Sequence, residues 1–592
     1  MKYTDTSKIT YDLKITGGTI VDGTGQPRFV GDVGIQAGRI VAVGDAPGDA
    51  TETIDAAGAL VTPGFVDLHT HYDGQISWDP DLMPSSVHGV TTAILGSCGV
   101  GFAPVHAADR EKLIQLMEGV EDIPGSALAE GLTWDWETFP EYMDAMDRKP
   151  HAIDFGLQVT HDPLRVYVMR ERAVHDQPAT AEDIAQMREV LREAMQAGAV
   201  GFSTGRSDNH RSATGAHTPA AEARSEELAG LASVLGEVGH GVVQAVSDFD
   251  MPEGDARFHS EFDVLEAMAQ AARRPLSISL MQRDPSPNQW RWIIQRAEQA
   301  NANGTPIRLQ VGARAIGVLL GLNTTFQPFM GFPSYKAISH LPLVERVQHM
   351  RDPAFKARML GEKSERVAGD GSSIPPMVDV LLAQIEQLGM RMFTLGEQPD
   401  YEPAFKDSIG ARARARGETV LGGLYDALLA QDDGSALIYF PLYNYIEGNL
   451  NNVHTMLSHP LALPGLSDGG AHVGTVCDAS FPTYMLTHWA RDRAQGLPLE
   501  RVVQMMTRDT ARFVGLNDRG TIAVGQKADL NIIDHAALRL TPPTLVADLP
   551  AGGRRLLQFA EGYRATLVSG EIIARDGQLT GARPGRLVRV TA

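Results

Sequence analysis

The sequence is poor in cysteine and in positive charge, and it has no long apolar run. Its 592 residues include two cysteines, Cys98 and Cys477, which is too few for a disulfide framework. The 52 Lys and Arg residues stand against 73 Asp and Glu, for a net charge of −21. Such a surface repels phosphate backbones and anionic lipid, which argues against nucleic acid or a membrane as a partner.

The hydrophobic pattern supports a soluble chain. No apolar run approaches the roughly 18 residues of a membrane helix, and the polar N-terminus lacks the apolar core of a signal peptide. Because hydrophobic residues make up 43% and charged residues 21%, we also exclude wholesale disorder. We expect a cytoplasmic protein with reduced cysteines that acts on a small molecule.

Both ends of the chain show short strands separated by glycine turns. Residues 1–62 and 515–592 alternate apolar and polar positions in this way, which is typical of a small β-sandwich or curled sheet. We predict one β-sandwich domain built from both termini, since the ends of a domain often lie close together. Two unrelated β extensions are the alternative.

The centre of the chain, residues 63–514, alternates strand and helix patterns. Repeats of this kind imply a parallel sheet, and their number favours an α/β fold of the (β/α)8 barrel type. No Gly-x-Gly-x-x-Gly follows a strand, so a dinucleotide fold is unsupported. Residues 341–434 interrupt the alternation and read as an insertion, which could cover the barrel mouth or only decorate it.

Two histidines end the first strand of the central region. The run is Gly64-Phe65-Val66-Asp67-Leu68-His69-Thr70-His71. Residues two apart on a strand point to the same face, and the C-terminal end of a barrel strand faces the active site. Neutral imidazoles at such a place can bind a metal. The spacing alone carries little information, and the position after a β domain adds more.

This run resembles the first metal motif of the amidohydrolase superfamily. Its continuation through residues 71–75, together with residues 89–92, 96–99 and 466–469, is similar to the N-acyl-D-amino-acid deacylase branch. Residues 17–25 and 525–530 in the β-rich ends are also typical of that superfamily. The resemblance covers nearly the whole chain and is weakest over 341–434. It implies zinc-assisted hydrolysis of an amide.

The resemblance also assigns roles to individual residues. It implies that His69, His71 and Cys98 are metal ligands and that Asp468, at the end of the last strand, is the general acid/base and a possible fourth ligand. A buried structural cysteine is the alternative for Cys98, and a turn-forming aspartate the alternative for Asp468. Because a catalytic zinc usually keeps one position open for water, either Cys98 or Asp468 could instead contact the ligands without binding the metal itself.

The chain departs from the family pattern at two strands. Histidines are expected at the ends of strands five and six, where this sequence has residues 243–248 and 279–282 without a histidine. Between Lys149 and Lys336 there is also no lysine, so the carboxylated lysine that bridges two metals in many amidohydrolases has no candidate in the middle of the barrel. We therefore expect one divalent metal per chain, zinc by resemblance, with other divalent metals possible.

Other polar residues follow predicted strands. His161 ends the third strand and is a candidate catalytic residue, with a loop-capping role as the alternative. Candidate substrate-binding residues are His210, Arg206, His472 and Tyr443. Relatives hold a substrate carboxylate with a basic residue, and the arginines that follow strands are Arg165, Arg206, Arg211 and Arg314. Asp248 and Gln282 could form polar walls where the histidines are absent.

The sequence therefore predicts a metal-dependent amidohydrolase that cleaves a linear amide with metal-activated water. N-acyl (D-)amino acids or related small amides are the expected substrates. A hydrolase of the same fold acting on a cyclic amide or another C–N bond is one alternative. A barrel that has lost catalysis and only binds its ligand is the other. The sequence leaves open whether the chain forms a homo-oligomer.

Overall fold

The computed structural model describes residues 10–175, 177–249, 255–369 and 374–591. The first nine residues of the predicted N-terminal β segment therefore lie outside the described residues. Residues 370–373 of the predicted insertion, and the last residue of the C-terminal β segment, also lie outside them.

The central region forms a parallel (β/α)8 barrel, as predicted. Each strand pairs with the next along the chain, and strand seven pairs with strand eight. A parallel bridge between Thr70 and Gly469 then joins the residues that follow strands one and eight. In order, the barrel strands are Phe65–Asp67, Val90–Leu95, Asp154–Thr160, Gly201–Arg206, Val242–Ser247, Leu276–Leu280, Ile307–Val311 and Ala462–Pro464.

The barrel helices bury one apolar stripe against the strands. In Ala181–Gln196 the stripe includes Met187, Leu191 and Met195, spaced as one helix face requires. A capping box between Thr180 and Asp183 begins this helix by satisfying backbone N–H groups that have no partner within the helix. The other α-helices of the barrel region are Arg110–Glu121, Gly125–Gly131, Phe139–Asp147, His161–Met169, Glu171–Val174, Ser225–Val238, Asp255–Ala272, Gln289–Ala302, Asn451–Leu457, Phe481–Tyr484, Leu499–Gln504 and Thr510–Phe513.

The two ends of the chain share one mixed sheet, which confirms the predicted β domain. Leu530–Ile533 from the C-terminal part runs antiparallel to Leu60–Pro63 from the N-terminal part. Because this pair joins the two halves, residues from both ends bury a common apolar core. The remaining strands of the sheet are Thr10–Ile20, Phe29–Gln36, Arg39–Gly44, Asp49–Asp55, Tyr563–Val568, Glu571–Arg575 and Gln578–Leu579.

A buried ion cluster connects this sheet to the base of the barrel. Asp154 begins barrel strand three, and its Oδ2 accepts from Lys527 Nζ at 2.7 Å and from Arg519 Nη1 at 2.5 Å. Lys527 also donates to Asp529 at 2.9 Å. Two cations and two carboxylates compensate one another here, so removing one would leave an unpaired buried charge.

The insertion has an apolar core of its own and lies against the barrel mouth. Its helices are Leu343–Met350, Pro353–Leu360, Pro376–Ala383, Ile385–Leu388, Ile409–Ala415 and Val420–Leu428, preceded by Pro333–Lys336. A small antiparallel sheet of Gly317–Leu320, Ile438–Pro441 and Phe393–Thr394 connects them to the barrel. Apolar side chains from these elements form a cluster separate from the barrel core. The remaining short strands are Arg539–Leu540, Thr544–Val546, Arg555–Leu557 and Ala560–Glu561.

None of the helices among the described residues is both long enough and apolar enough to cross a membrane.

Candidate active site

The predicted metal ligands meet at the C-terminal end of the barrel strands. His69 and His71 follow strand one, and Cys98 follows strand two. The nitrogen and sulfur atoms that could bind a metal all lie within 4.8 Å of one another. His69 Nε2 is 3.3 Å from Cys98 Sγ, and all three residues are buried. The fold thus brings together two imidazoles from the segment after strand one and a thiol from the segment after strand two.

Asp468, four residues beyond the last barrel strand, lies beside this cluster. Its Oδ1 lies 3.3 Å from His69 Nε2 and 3.9 Å from His71 Nε2. Neighbouring contacts fix its loop against strand one. The Ser467 hydroxyl donates to Asp67 Oδ2 at 2.5 Å, and His71 N donates to Gly469 O at 2.7 Å. Asp468 is therefore held beside both histidines and faces the cavity above them.

Two of these residues adopt a backbone conformation that non-glycine residues rarely use. The φ angles are +56° at Cys98 and +49° at Asp468, both in the left-handed region. His472, at the rim of the site, has φ +47°. Such conformations cost free energy and are concentrated at functional sites. Here they turn the side chains of two neighbouring loops towards a common point.

A glutamine behind His69 sets the orientation of its ring. Gln310, from strand seven, places its Oε1 2.9 Å from His69 Nδ1. When Nδ1 carries the proton and donates it to this oxygen, Nε2 presents its lone pair to Cys98 and Asp468. Gln310 Nε2 is in turn held by Ser277 Oγ at 3.0 Å. The barrel interior thus supports the tautomer that a metal ligand needs.

A buried glutamate behind His71 was not predicted from the sequence. Glu121 is 1% exposed, with Oε1 3.2 Å from His71 Nδ1 and Oε2 3.5 Å from His472 Nε2. Neither carboxylate oxygen has a hydrogen-bond partner among the described residues. Burial raises the pKa of Glu121 well above its usual value, and the carboxylates of Asp468 and Asp73 raise it further. A cation in the cluster would supply the missing compensation.

Burial is the main influence on the pKa values of Cys98 and His71. Burial raises the pKa of the Cys98 thiol well above its usual range, and the nearby carboxylates of Glu121 and Asp468 raise it further. Burial likewise holds the pKa of His71 well below its usual value. Binding a cation reverses the first effect, since a coordinating thiol loses its proton. The neutral imidazole is already in the form that binds a metal.

The positions of the absent histidines are filled by other side chains. On strand five, Gln244 donates to Leu68 O at 3.2 Å and accepts from Gln158 at 3.3 Å. After strand six, Met281 lines the cavity, whereas Gln282 does not. Gln282 instead donates to Glu447 at 2.9 Å. These residues add no nitrogen ligand, so the nitrogen and sulfur donors in the described part of the cluster remain the three from strands one and two.

The lysine-free stretch covers the middle of the barrel. Strands three to seven run from Asp154 to Val311, and no lysine lies between Lys149 and Lys336. No bridging lysine can therefore come from these strands.

Three of the four predicted substrate-binding residues line the cavity. They are His210, His472 and Tyr443. Burial lowers the pKa of His210 to about 4, to which the nearby His472 also contributes, so this ring is neutral at pH 7. Asp248 lines the same cavity. The structure thus places these residues around the His-His-Cys cluster, where each could contact a substrate.

His161 and Arg206 lie away from the cavity, contrary to their predicted roles. His161 is fully buried, with Nδ1 2.9 Å from Thr204 Oγ1 and Nε2 2.9 Å from Glu227 Oε1. Arg206 donates to Glu261 at 2.5 and 2.9 Å. Neither lines the cavity. Because both nitrogens of His161 are engaged by protein groups, the geometry favours a structural role for it.

The arginine that lines the cavity is not one of the four arginines predicted from the sequence. Arg283, three residues beyond strand six, lines the cavity and is 2% exposed. Its Nη2 donates to Ser247 O at 2.8 Å, whereas its Nη1 has no hydrogen-bond partner among the described residues. Arg165, Arg206, Arg211 and Arg314 do not line the cavity. Arg283 is therefore the guanidinium that a substrate anion could reach.

The cavity above the cluster encloses about 310 Å³, within the range of small-molecule sites. Its floor holds His69, His71, Cys98 and Asp468, and its outer part is lined by the insertion. A barrel with a buried His-His-Cys cluster and a carboxylate at the mouth of such a cavity has the architecture of a hydrolase that uses a metal.

Comparisons with known proteins define the family. The sequence profile of the amidohydrolase family matches residues 52–369 and 427–574. The chain is 28% identical to D-aminoacylase and 30% identical to N-acyl-D-glutamate deacylase, both of Alcaligenes xylosoxydans xylosoxydans. The first alignment covers 98% of each protein, and the second covers 96% of this chain and 98% of the relative.

Solved structures share the fold. The N-acyl-D-glutamate deacylase from Bordetella bronchiseptica, described in complex with zinc and a phosphonate mimic of the tetrahedral intermediate, has a TM-score of 0.64 at 23% identity. A D-aminoacylase, whose metal centre is described as binuclear, has a TM-score of 0.63 at 24% identity. Each comparison covers 98% of this chain and 100% of the other.

The chain belongs to the amidohydrolase family. It is a metal-dependent amide hydrolase. The bonds on which it acts are carbon–nitrogen bonds other than peptide bonds.

Proposed function

We propose that this protein hydrolyses the linear amide of N-acyl amino acids, with one divalent metal held by His69, His71 and Cys98. The observation that carries the proposal is the position of Asp468, whose Oδ1 lies 3.3 Å from His69 Nε2 on the floor of the cavity. The full-length similarity to deacylases of N-acyl-D-amino acids supports this substrate class.

The donor set fits zinc. Two neutral imidazoles and one thiol are ligands that zinc prefers, and three protein ligands leave a position open. The uncompensated Glu121 carboxylate behind His71 favours a cation at the same place. When bound, the metal would polarise the scissile carbonyl and lower the pKa of a water molecule to about 7.

Asp468 moves the protons in this proposal. Its carboxylate accepts the proton of the attacking water and later gives it to the departing amine. Its side chain is 14% exposed, so it can contact both water and substrate. The contacts of Ser467 and Gly469 hold it in reach of the reacting atoms without blocking the cavity.

Arg283 binds the carboxylate of the amino acid. It is buried, its Nη1 has no partner among the described residues, and it lines the cavity. A guanidinium binds a carboxylate through two parallel hydrogen bonds, which fixes orientation as well as affinity. Tyr443 and Asp248 line the cavity with it, and in this proposal they shape the same subsite. His210 and His472 form its other polar wall.

The test is a substrate panel assayed for released amine. We expect the zinc-loaded protein to hydrolyse N-acyl amino acids, with the D enantiomers ahead. Asp468→Asn should lower kcat by roughly 10²- to 10⁴-fold while binding the same amount of zinc. Hydantoin and dihydrouracil test the cyclic-amide alternative. Turnover of the rings without turnover of any linear amide would contradict the proposal. A protein that takes up no zinc, manganese or cobalt and hydrolyses nothing would instead be a binding barrel.

A further inference from the structure

The insertion gives the active-site cavity an apolar wall. Helices Pro376–Ala383 and Ile385–Leu388 contribute a continuous set of apolar side chains to it, namely Met377, Val378, Leu381, Leu382, Ile385 and Leu388. These residues lie between 369 and 427, in the part of the chain that the family profile does not match. The wall therefore lies outside the part of the barrel that the family profile describes.

Elements on the barrel side complete an apolar chamber. Val318 and Leu320 from one strand of the small sheet, and Phe440 from its neighbour, line the cavity together with Phe326 and Leu442. The charged lining groups near the cluster come mainly from the loops that follow the barrel strands, such as Asp248, Arg283 and Asp468. The outer chamber thus offers mainly contact to hydrocarbon, with Thr325 and Gln327 as polar residues beside Phe326.

One face of the helix Pro376–Ala383 lines the cavity, and another is exposed. Met377 and Leu381 are four residues apart and lie on one face, and both line the cavity. Val380 lies on another face and is 58% exposed. Because adjacent positions of one short helix differ in this way, the helix offers both a test position and a matched control.

We propose that the substrate carries a long hydrocarbon acyl chain, which the apolar chamber binds. This inference rests on the proposed function, since it places the amide carbonyl at the metal cluster and the carboxylate at Arg283. The carboxylate and the side chain of an amino acid share one carbon atom, so both remain within a short distance of Arg283. The acyl chain leaves from the other side of the amide and is the part whose length can match a chamber of this extent.

The expected signature is a strong dependence on chain length. Each methylene buried from water contributes a factor of about four. For an N-acyl-D-leucine series from acetyl to decanoyl, we expect kcat/KM to rise at least about 100-fold and then to level off when the chamber is full. Leu381→Trp should reduce the ratio of decanoyl to acetyl activity at least about tenfold, whereas Val380→Trp should leave that ratio unchanged. If Leu381→Trp does not fold, Leu381→Gln replaces it.

A calorimetric binding assay separates this inference from the proposed function. It compares N-acetyl- and N-decanoyl-D-leucine on the wild type and on both tryptophan variants. Turnover of the series with no preference for longer chains would overturn the inference and leave the proposed function standing. Tighter binding of the decanoyl compound that Leu381→Trp removes, without any turnover, would overturn the proposed function and support the chamber. Equal binding of both compounds without turnover would overturn both.

Discussion

Replacing Glu121 with glutamine removes the negative charge behind His71 while keeping the shape of the side chain. In the wild type, the carboxylate lies 3.2 Å from His71 Nδ1 and 3.5 Å from His472 Nε2. A carboxylate that faces the distal nitrogen of a metal-binding histidine orients the ring and increases its basicity. We therefore expect Glu121→Gln to lower zinc affinity by roughly 10- to 100-fold, equal to about 1.4–2.7 kcal/mol.

The same substitution should have the opposite effect on the metal-free protein. Burial raises the pKa of Glu121 well above its usual value. A carboxylate whose folded-state pKa is raised lowers stability as pH rises above its unfolded value. Glutamine carries no such charge, so the metal-free variant should be at least as stable as the wild type at pH 8. A variant that binds zinc more weakly but is no less stable without metal indicates that Glu121 supports the metal. A packing role would instead predict a loss of stability in the metal-free protein.

The assay is competition for zinc with a fluorescent chelator, combined with urea unfolding of the metal-free proteins. Glu111→Gln is the matched control, because Glu111 lies on the same helix, Arg110–Glu121, and is exposed. We expect the control to match the wild type in both measurements. A zinc affinity of Glu121→Gln within twofold of the wild type would refute the reasoning.

Three further predictions concern single residues. Asp468→Asn should lower kcat by roughly 10²- to 10⁴-fold, with zinc content and unfolding midpoint unchanged. If the variant lost its zinc as well as its activity, Asp468 would instead be a metal ligand. Arg283→Met should lower kcat/KM for N-acyl amino acids by about 10- to 100-fold, since a hydrogen bond to a charged group contributes about 1.5–3 kcal/mol; amides without a carboxylate should lose less, and equal losses would count against the carboxylate role. Asp162 accepts from Ala220 N at 2.6 Å, and burial raises its pKa to about 7, so the folded state retains a proton that the unfolded state releases near pH 4. Stability should thus fall between pH 5 and 7 by up to about 1.4 kcal/mol per pH unit relative to Asp162→Asn, as measured by urea unfolding; parallel pH profiles would contradict this.

The barrel and the first metal residues could be predicted because they depend on local patterns. His69 and His71 directly follow the strand Phe65–Asp67, which begins the barrel, so a local apolar run was enough to place them at the barrel mouth. The strand–helix alternation, with Gly198 after the helix Ala181–Gln196, is likewise a local signal. The joining of Leu60–Pro63 to Leu530–Ile533 needed the further argument that chain ends lie close together.

The positions of His161, Arg206, Glu121 and Arg283 could not be predicted because they depend on residues distant in the sequence. His161 follows strand three as a catalytic histidine would, but Glu227 from a later helix binds its Nε2. Arg206 is similarly occupied by Glu261. Glu121 ends an ordinary amphipathic helix, and only the folded chain brings it to His71. The sequence indicated Arg283 only weakly, through its position three residues after strand six.

Zinc content measured on purified, reconstituted protein tests the central claim most directly. The account predicts about one zinc per chain in the wild type and in Cys477→Ala, whose cysteine is also free and buried but lies outside the cluster. It predicts loss of that zinc in His69→Ala and in Cys98→Ala. Two metals per chain, a Cys98→Ala variant that retains its zinc, or a wild type that binds none after reconstitution would each contradict the account.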